Sequence, residues 1–205
     1  IGSKYNGMMS GSIGDIGCFS AHPLKNLNAI GDSGYLTTNS KRIYDLAKDL
    51  RNHGMTNRDR IKNFGYVSRM DNLQAAILNY RLSKLKNIIN SRRRNYKIYK
   101  KYLTRENIFF PDEKKNEFNT YHTFVIQVKN RDKLRKYLSL KGIGTSIHYP
   151  IPIHLQPAAK KLGYKKGDFI KTEFQSKRIL TLPINQHLKE KEIIYISESI
   201  NNFFK

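Results

Sequence analysis

Ser20-Ala21-His22-Pro23-Leu24-Lys25-Asn26-Leu27-Asn28, followed by Gly31-Asp32-Ser33-Gly34, places one lysine in a turn, with a hydroxyl five residues before it and small residues after it. Strand-like runs flank the turn: Ile16-Gly17-Cys18-Phe19-Ser20 before it and Tyr35-Leu36-Thr37-Thr38 after it. A lysine held in a turn between buried strands loses solvation, and desolvation lowers its pKa toward nucleophilic use. A lone lysine in a chain this rich in lysine would instead be read as a surface residue.

The lysine does not stand alone. Gly14-Asp15-Ile16-Gly17-Cys18-Phe19-Ser20 leads into the turn, and Leu50-Arg51-Asn52-His53-Gly54 follows it. Next come Gly65-Tyr66-Val67-Ser68-Arg69-Met70-Asp71 with Leu73-Gln74-Ala75-Ala76-Ile77-Leu78, then Gly142-Ile143-Gly144-Thr145 running to His154-Leu155-Gln156-Pro157. In this order the motifs resemble the DegT/DnrJ/StrS family over almost the whole chain. Its members are PLP-dependent aminotransferases acting on nucleotide-linked keto sugars. The resemblance implies an α/β chain of fold type I. Residues 1–85 would be the C-terminal part of the large PLP-binding domain, and residues 86–205 the small C-terminal α/β domain.

The resemblance also implies pyridoxal 5'-phosphate as cofactor, a nucleotide-linked keto sugar and glutamate as substrates, and a homodimer with shared active sites. Lys25 matches the Schiff-base lysine. A dehydratase branch of the family has His there, so Lys favours transamination. Ser20 matches the phosphate ligand, since a hydroxyl donates to a phosphate oxygen without adding charge; the lesser alternative is a strand-end Ser bonded to backbone. His22 stands where sugar aminotransferases often have a pocket-lining Tyr. His148 and Tyr149 match a His-Tyr pair that lines the sugar pocket, whereas His154 reads as structural. At Val67 the family commonly has Asn, which reaches the phosphate of the partner subunit's cofactor, and Val has no donor. The wording around Lys25 leans to members that aminate the 3-position. The Asp that pairs with the ring nitrogen would lie upstream of residue 1, so the chain reads as the later part of a longer enzyme and is expected to be inactive alone. The competing reading is a truncated, non-catalytic remnant acting only through partner-chain binding.

Composition narrows the remaining classes. With 205 residues the chain can bury a core without staples, and its one cysteine, Cys18, cannot form an internal disulfide. No Cys/His spacing suggests zinc, no apolar run approaches a membrane span, and no secretory signal is visible; the expected compartment is the cytoplasm. The net charge of +22 comes from 38 basic and 16 acidic residues spread along the chain. Charge without a reading element does not make a nucleic-acid binder, so no nucleic-acid partner is expected.

Periodicity predicts a helix over 40–52 capped by Ser40 and a polar loop over 53–69. A long helix over 71–103 would open on a capping-box-like Asp71/Gln74 pair. Its buried face would carry Leu73, Ala76, Ile77, Tyr80 and Leu85, and its Arg92-Arg93-Arg94 run reads as a solvated face. Beyond it the sequence predicts β-structure over 121–128, helices over 132–141, 157–162, 169–179 and 188–204, and a short strand over 145–148.

Overall fold

The computed structural model describes residues 1–205 and shows a mixed α/β chain in two compact units. The first comprises Ile1–Asn90 and Glu113–Thr120, the second Ser91–Asp112 and Tyr121–Lys205. No helix is long and apolar enough to cross a membrane.

The first unit opens with β1 (Lys4–Tyr5) and β2 (Met8–Met9), joined through Asn6-Gly7. Both turn residues have positive φ, 49° and 79°, as a two-residue I′ hairpin demands and as Asn-Gly supplies without strain. β1 also pairs with Glu117–Phe118, antiparallel. Two further strands, β3 (Gly17–Ser20) and β4 (Gly34–Thr37), form an antiparallel ribbon around Lys25. They are less buried than expected: Cys18, Ser20, Leu36 and Thr37 are exposed. Helix α1 (Lys41–Leu50) starts where predicted, with Ser40 Oγ accepting the Ile43 N–H.

The 53–69 segment is more ordered than a loop. It contains a small hairpin of β5 (Met55–Asn57) and β6 (Arg60–Ile61). The predicted long helix is two helices, α2 (Asn72–Leu82) and α3 (Leu85–Tyr102). At the break Ser83 Oγ donates to the Tyr80 carbonyl at 2.8 Å, a local bond that competes with helix continuation. Asp71 makes no capping bond, and the Gln74 side chain is used elsewhere, as described below. The buried positions here are Leu78, Leu85 and Ile89, which pack with Ala21, Leu27 and Ala29; Leu73 and Tyr80 are exposed.

The second unit is built on an antiparallel three-stranded sheet. Strand β9 (Phe124–Val128) lies between β7 (Ile108–Phe109) and β10 (Ile179–Leu182), and β8 is the Glu117–Phe118 strand of the first unit. Phe124, Ile126 and Val128 alternate into the core, the period-2 signature of a strand with one dry face. Helix α4 (Arg131–Leu140) buries Leu134 and Leu138, and α6 (Glu190–Phe203) buries Ile193, Ile196 and Ile200, the helical counterpart. Between them α5 is shorter than predicted, Ile170–Ser176, because Ile179 already begins β10. The predicted strand at 145–148 is a single bridge, Ser146 to Thr181.

Two polar bonds fix the C-terminal half of α3. Asn95 Nδ2 donates to the Asn185 carbonyl at 2.8 Å, and Tyr99 Oη donates to the Pro183 carbonyl at 2.7 Å. Burial pushes the Tyr99 phenol far above its ordinary pKa, so it stays a neutral donor. The Arg run is only partly a solvated face. Arg92 is buried and gives Nη1 hydrogens to the Tyr121 and His122 carbonyls at 3.2 and 3.0 Å.

Candidate functional site

The turn around Lys25 is fixed by backbone before any side chain acts. Ser20 pairs with Gly34 in the ribbon, and the Ala21 N–H extends the pairing to the Ser33 carbonyl at 2.8 Å. The Lys25 N–H closes a tight turn on the His22 carbonyl, and the Ala29 N–H returns to the Ala21 carbonyl, both at 2.9 Å. Asn28 Nδ2 donates to the Pro23 carbonyl at 2.6 Å across the same turn. Helix α2 grips it from outside: Gln74 Oε1 accepts the Ile30 N–H at 3.0 Å, and Arg81 donates to the Asn28 carbonyl at 3.1 Å. The buried side chains of Ala21, Leu27 and Ala29 anchor it in the core.

On this frame Lys25 is half-buried. Ser20 Oγ accepts the His22 N–H at 3.4 Å; this uses a lone pair and leaves the hydroxyl hydrogen able to donate. His22 is exposed, and its Nδ1 accepts the Leu24 N–H at 3.2 Å. The neutral ring then carries its proton on Nε2, which stands 3.9 Å from Asp32 Oδ1. A cavity of about 270 Å³ opens beside Phe19, Tyr35, Thr37 and Gly11. Successive strand residues point to opposite faces, so that cavity lies on the Phe19 face of the ribbon and not on the Ser20 face.

His148 and Tyr149 lie in the second unit, as neighbours joined by a cis peptide, with their rings edge to face at 5.4 Å. Both are exposed. His148 Nδ1 is 2.9 Å from Thr181 Oγ1, so β10 orients the ring and leaves Nε2 outward. Thr181 was not among the expected site residues; its contact crosses 33 positions of sequence, and no local pattern signals it. Ser20, His22 and Lys25 are thus gathered by one strand–turn–strand, and His148 and Tyr149 by one segment of the other unit. His154 is buried against Glu173 at 3.1 Å, a structural setting. No group of three or more His, Cys, Asp or Glu side chains is placed to hold a metal ion.

The family model of the DegT/DnrJ/EryC1/StrS aminotransferases matches residues 1–201. The chain belongs to this family. It is 35% identical, over its whole length, to a pleiotropic regulatory protein of Geobacillus stearothermophilus, covering 56% of that protein. It is also 35% identical, over 98% of its length, to the UDP-N-acetyl-3-dehydro-alpha-D-glucosamine 3-aminotransferase of Acidithiobacillus ferrooxidans, covering 54% of it. Among solved structures it is similar to S. venezuelae DesV in complex with a ketimine intermediate. That match has a TM-score of 0.94 and 30% identity, and covers 98% of this chain and 54% of DesV. The chain spans about half the length of the relatives it matches.

The Leu50-Arg51-Asn52-His53-Gly54 motif is a chain reversal in which His53 and Gly54 take positive φ, 61° and 73°. A Cβ on Gly54 would sit 1.7 Å from the Asn63 carbonyl oxygen, so only glycine fits. Asn52 bridges to Val67, and Asn52 Oδ1 accepts from Arg69 Nη1 at 3.4 Å. The Ser68 N–H is spent on the Arg51 carbonyl at 2.9 Å. The exposed Val67 side chain offers no hydrogen bond, and the donors beside it are the Ser68 hydroxyl and the remaining Arg69 N–H groups.

Proposed function

We propose that this chain is the C-terminal part of a fold-type I, PLP-dependent aminotransferase. The enzyme would move the amino group of glutamate to a keto carbon of a nucleotide-linked hexose, making an amino sugar for surface polysaccharide or glycoconjugate. The observation that carries the reading is the half-buried Lys25, held by a closed turn at the end of the β3–β4 ribbon with Ser20 at its base. The donor set suits the cofactor: a primary amine for its aldehyde and a hydroxyl hydrogen for its phosphate. When bound, PLP supplies an electron sink for carbanion chemistry.

The chain's own residues then have distinct tasks. Lys25 Nζ would hold the cofactor through its aldehyde and, when free, would hold or move a proton at the substrate carbon. Ser20 Oγ–H donates to the phosphate. His22 Nε2, His148 Nε2 and the Tyr149 hydroxyl bond sugar hydroxyls or diphosphate oxygens. Residues 1–85 belong to the large domain and 86–205 to the small one in this reading, and the compartment is the cytoplasm. The 3-position is the favoured site of amination, in line with the 3-aminotransferase name of the Acidithiobacillus relative. Glutamate-dependent amination of a UDP- or dTDP-linked 3-keto hexose tests the assignment. Failure with every nucleotide-linked keto sugar, by enzyme that holds PLP, would contradict it.

The side chains of Phe64, Tyr66, Val67, Leu73 and Tyr80 are exposed, and we take the 53–69 segment to reach a second copy that shares its active sites. Sedimentation of the complete enzyme should give a dimer; an active monomer at working concentration would contradict this. The same surface is what a non-catalytic, partner-binding remnant would use, and the amination assay separates the two readings. At Val67 the expected effect of Val67→Asn is PLP retention equal to or tighter than the parent. A hydrogen bond to a charged phosphate is worth about 1.5–3 kcal/mol, and Val makes none. Clear loss of PLP on dialysis, relative to the parent, would show that the side chain does not face the phosphate.

A further inference from the structure

We propose that Glu173 is a positioning residue: by clasping His154 it sets the place of the His148–Tyr149 segment, and with it the fit of the keto sugar. The inference rests on the sugar-binding reading of His148 and Tyr149 given above. Upstream, the segment is tied to β10 at Ser146 by two backbone bonds with Thr181, at 3.2 and 2.7 Å, and by the His148–Thr181 side-chain contact at 2.9 Å. Next comes Tyr149-Pro150-Ile151-Pro152, in which two residues have no N–H to give. At its downstream end Pro152 is buried and its carbonyl accepts the Leu155 N–H at 3.0 Å.

The turn that follows is tied down by the clasp. His154, in the 3₁₀ turn Ile153–Leu155, is 5% exposed, and its Nε2 lies 3.1 Å from Glu173 Oε1 in α5. A carboxylate only accepts, so the imidazole carries a proton on Nε2. The same oxygen accepts the Gly167 N–H at 2.7 Å, and the His154 ring packs on Phe169 at 4.8 Å. The Gly167 bond first, and the His154 bond second, hold the Glu173 carboxyl below the ordinary carboxylate range. The clasp ties the turn to a helix 19 residues away. The exposed polar pair stands between two anchors, and only the second depends on Glu173.

Glu173→Ala removes the acceptor, and Glu173→Gln keeps one oxygen for both donors. Two measurements read the result. In the complete enzyme, the Leu155 and Gln156 amides, bonded to the Pro152 and Ile153 carbonyls, should exchange about tenfold faster in Glu173→Ala. Exchange at Ile126 should be unchanged, and Glu173→Gln should restore protection. In the complete enzyme, Glu173→Ala should raise KM for the keto sugar by about tenfold, with the half-reaction with the amino donor within about twofold and Glu173→Gln close to the parent. Unchanged exchange at Leu155 and Gln156 overturns the clasp, whatever the activity. Faster exchange with an unchanged KM for the sugar overturns the positioning role and, with it, the sugar-binding reading of the segment; loss of both half-reactions alike also counts against positioning. If Glu173→Ala does not fold, His154→Phe, which fills the same space without a donor, gives the same readouts.

Discussion

Lys25→Ala in the complete enzyme is expected to lower the rate of amino transfer by about 10⁴-fold or more, the scale seen when a covalent catalytic group is deleted. The reason is that one amine performs two tasks. In the proposed mechanism it joins the cofactor and, once free, moves the proton at the reacting carbon, and the turn holds no other primary amine. The neighbouring His22 Nδ1 is occupied by the Leu24 N–H, Asn26 is buried with its amide on the Thr120 carbonyl at 3.4 Å, and Asn28 is committed to Pro23. The frame should survive the substitution, because the bonds that close the turn are backbone bonds and side-chain bonds of residues other than Lys25. The variant is therefore expected to unfold at the same temperature as the parent while losing turnover. A variant that is folded and still turns over would remove Lys25 from the mechanism.

Arg92→Ala is expected to have the largest effect on stability, a loss of about 2–4 kcal/mol. The guanidinium is buried, and burial lowers its pKa, so it is held in place at some desolvation cost. Its return is the pair of bonds to the Tyr121 and His122 carbonyls. Hydrogen bonds to charged groups contribute about 1.5–3 kcal/mol, and a buried acceptor left unpaired costs about 1–3 kcal/mol. Removing the side chain loses the first and incurs the second, offset in part by the desolvation no longer needed. Lys97, exposed on the same helix, is the control: Lys97→Ala should stay within about 0.5 kcal/mol of the parent. Urea unfolding followed by far-UV circular dichroism compares the two, and equal midpoints would show that the Arg92 bonds contribute nothing net.

These residues also show why part of the molecule could be read from sequence and part could not. The Lys25 turn was legible because its determinants are local: Pro23, the Asn residues and the two flanking runs all lie within a short stretch. Helices α4 and α6 were legible from the spacing of Leu134 and Leu138 and of Ile193, Ile196 and Ile200. The burial of Arg92 was not, since the carbonyls that receive it lie 29 and 30 residues away. The same holds for Gln74, whose expected capping role gives way to Ile30, 44 residues distant. The break between α2 and α3 carries no Gly or Pro and turns on a serine hydroxyl. One omission was avoidable: Tyr5-Asn6-Gly7-Met8 carries a strong hairpin signal. At the candidate site, the residues expected to meet the cofactor stand together at one turn, whereas the helper Thr181 became visible only once β10 was paired beside His148.

The central claim is that Lys25 is the amine that joins the cofactor. An ordinary lysine is mostly protonated near neutral pH, with a pKa of about 10.4, so selective attachment requires the built site and not mere abundance of lysine. The direct measurement is borohydride reduction of the complete, PLP-loaded enzyme, followed by digestion and mass mapping of the labelled peptide. The expected result is one modified peptide, containing His22-Pro23-Leu24-Lys25-Asn26, at one label per chain, with loss of the visible cofactor band. Label on a different lysine, or spread over many, would contradict the assignment.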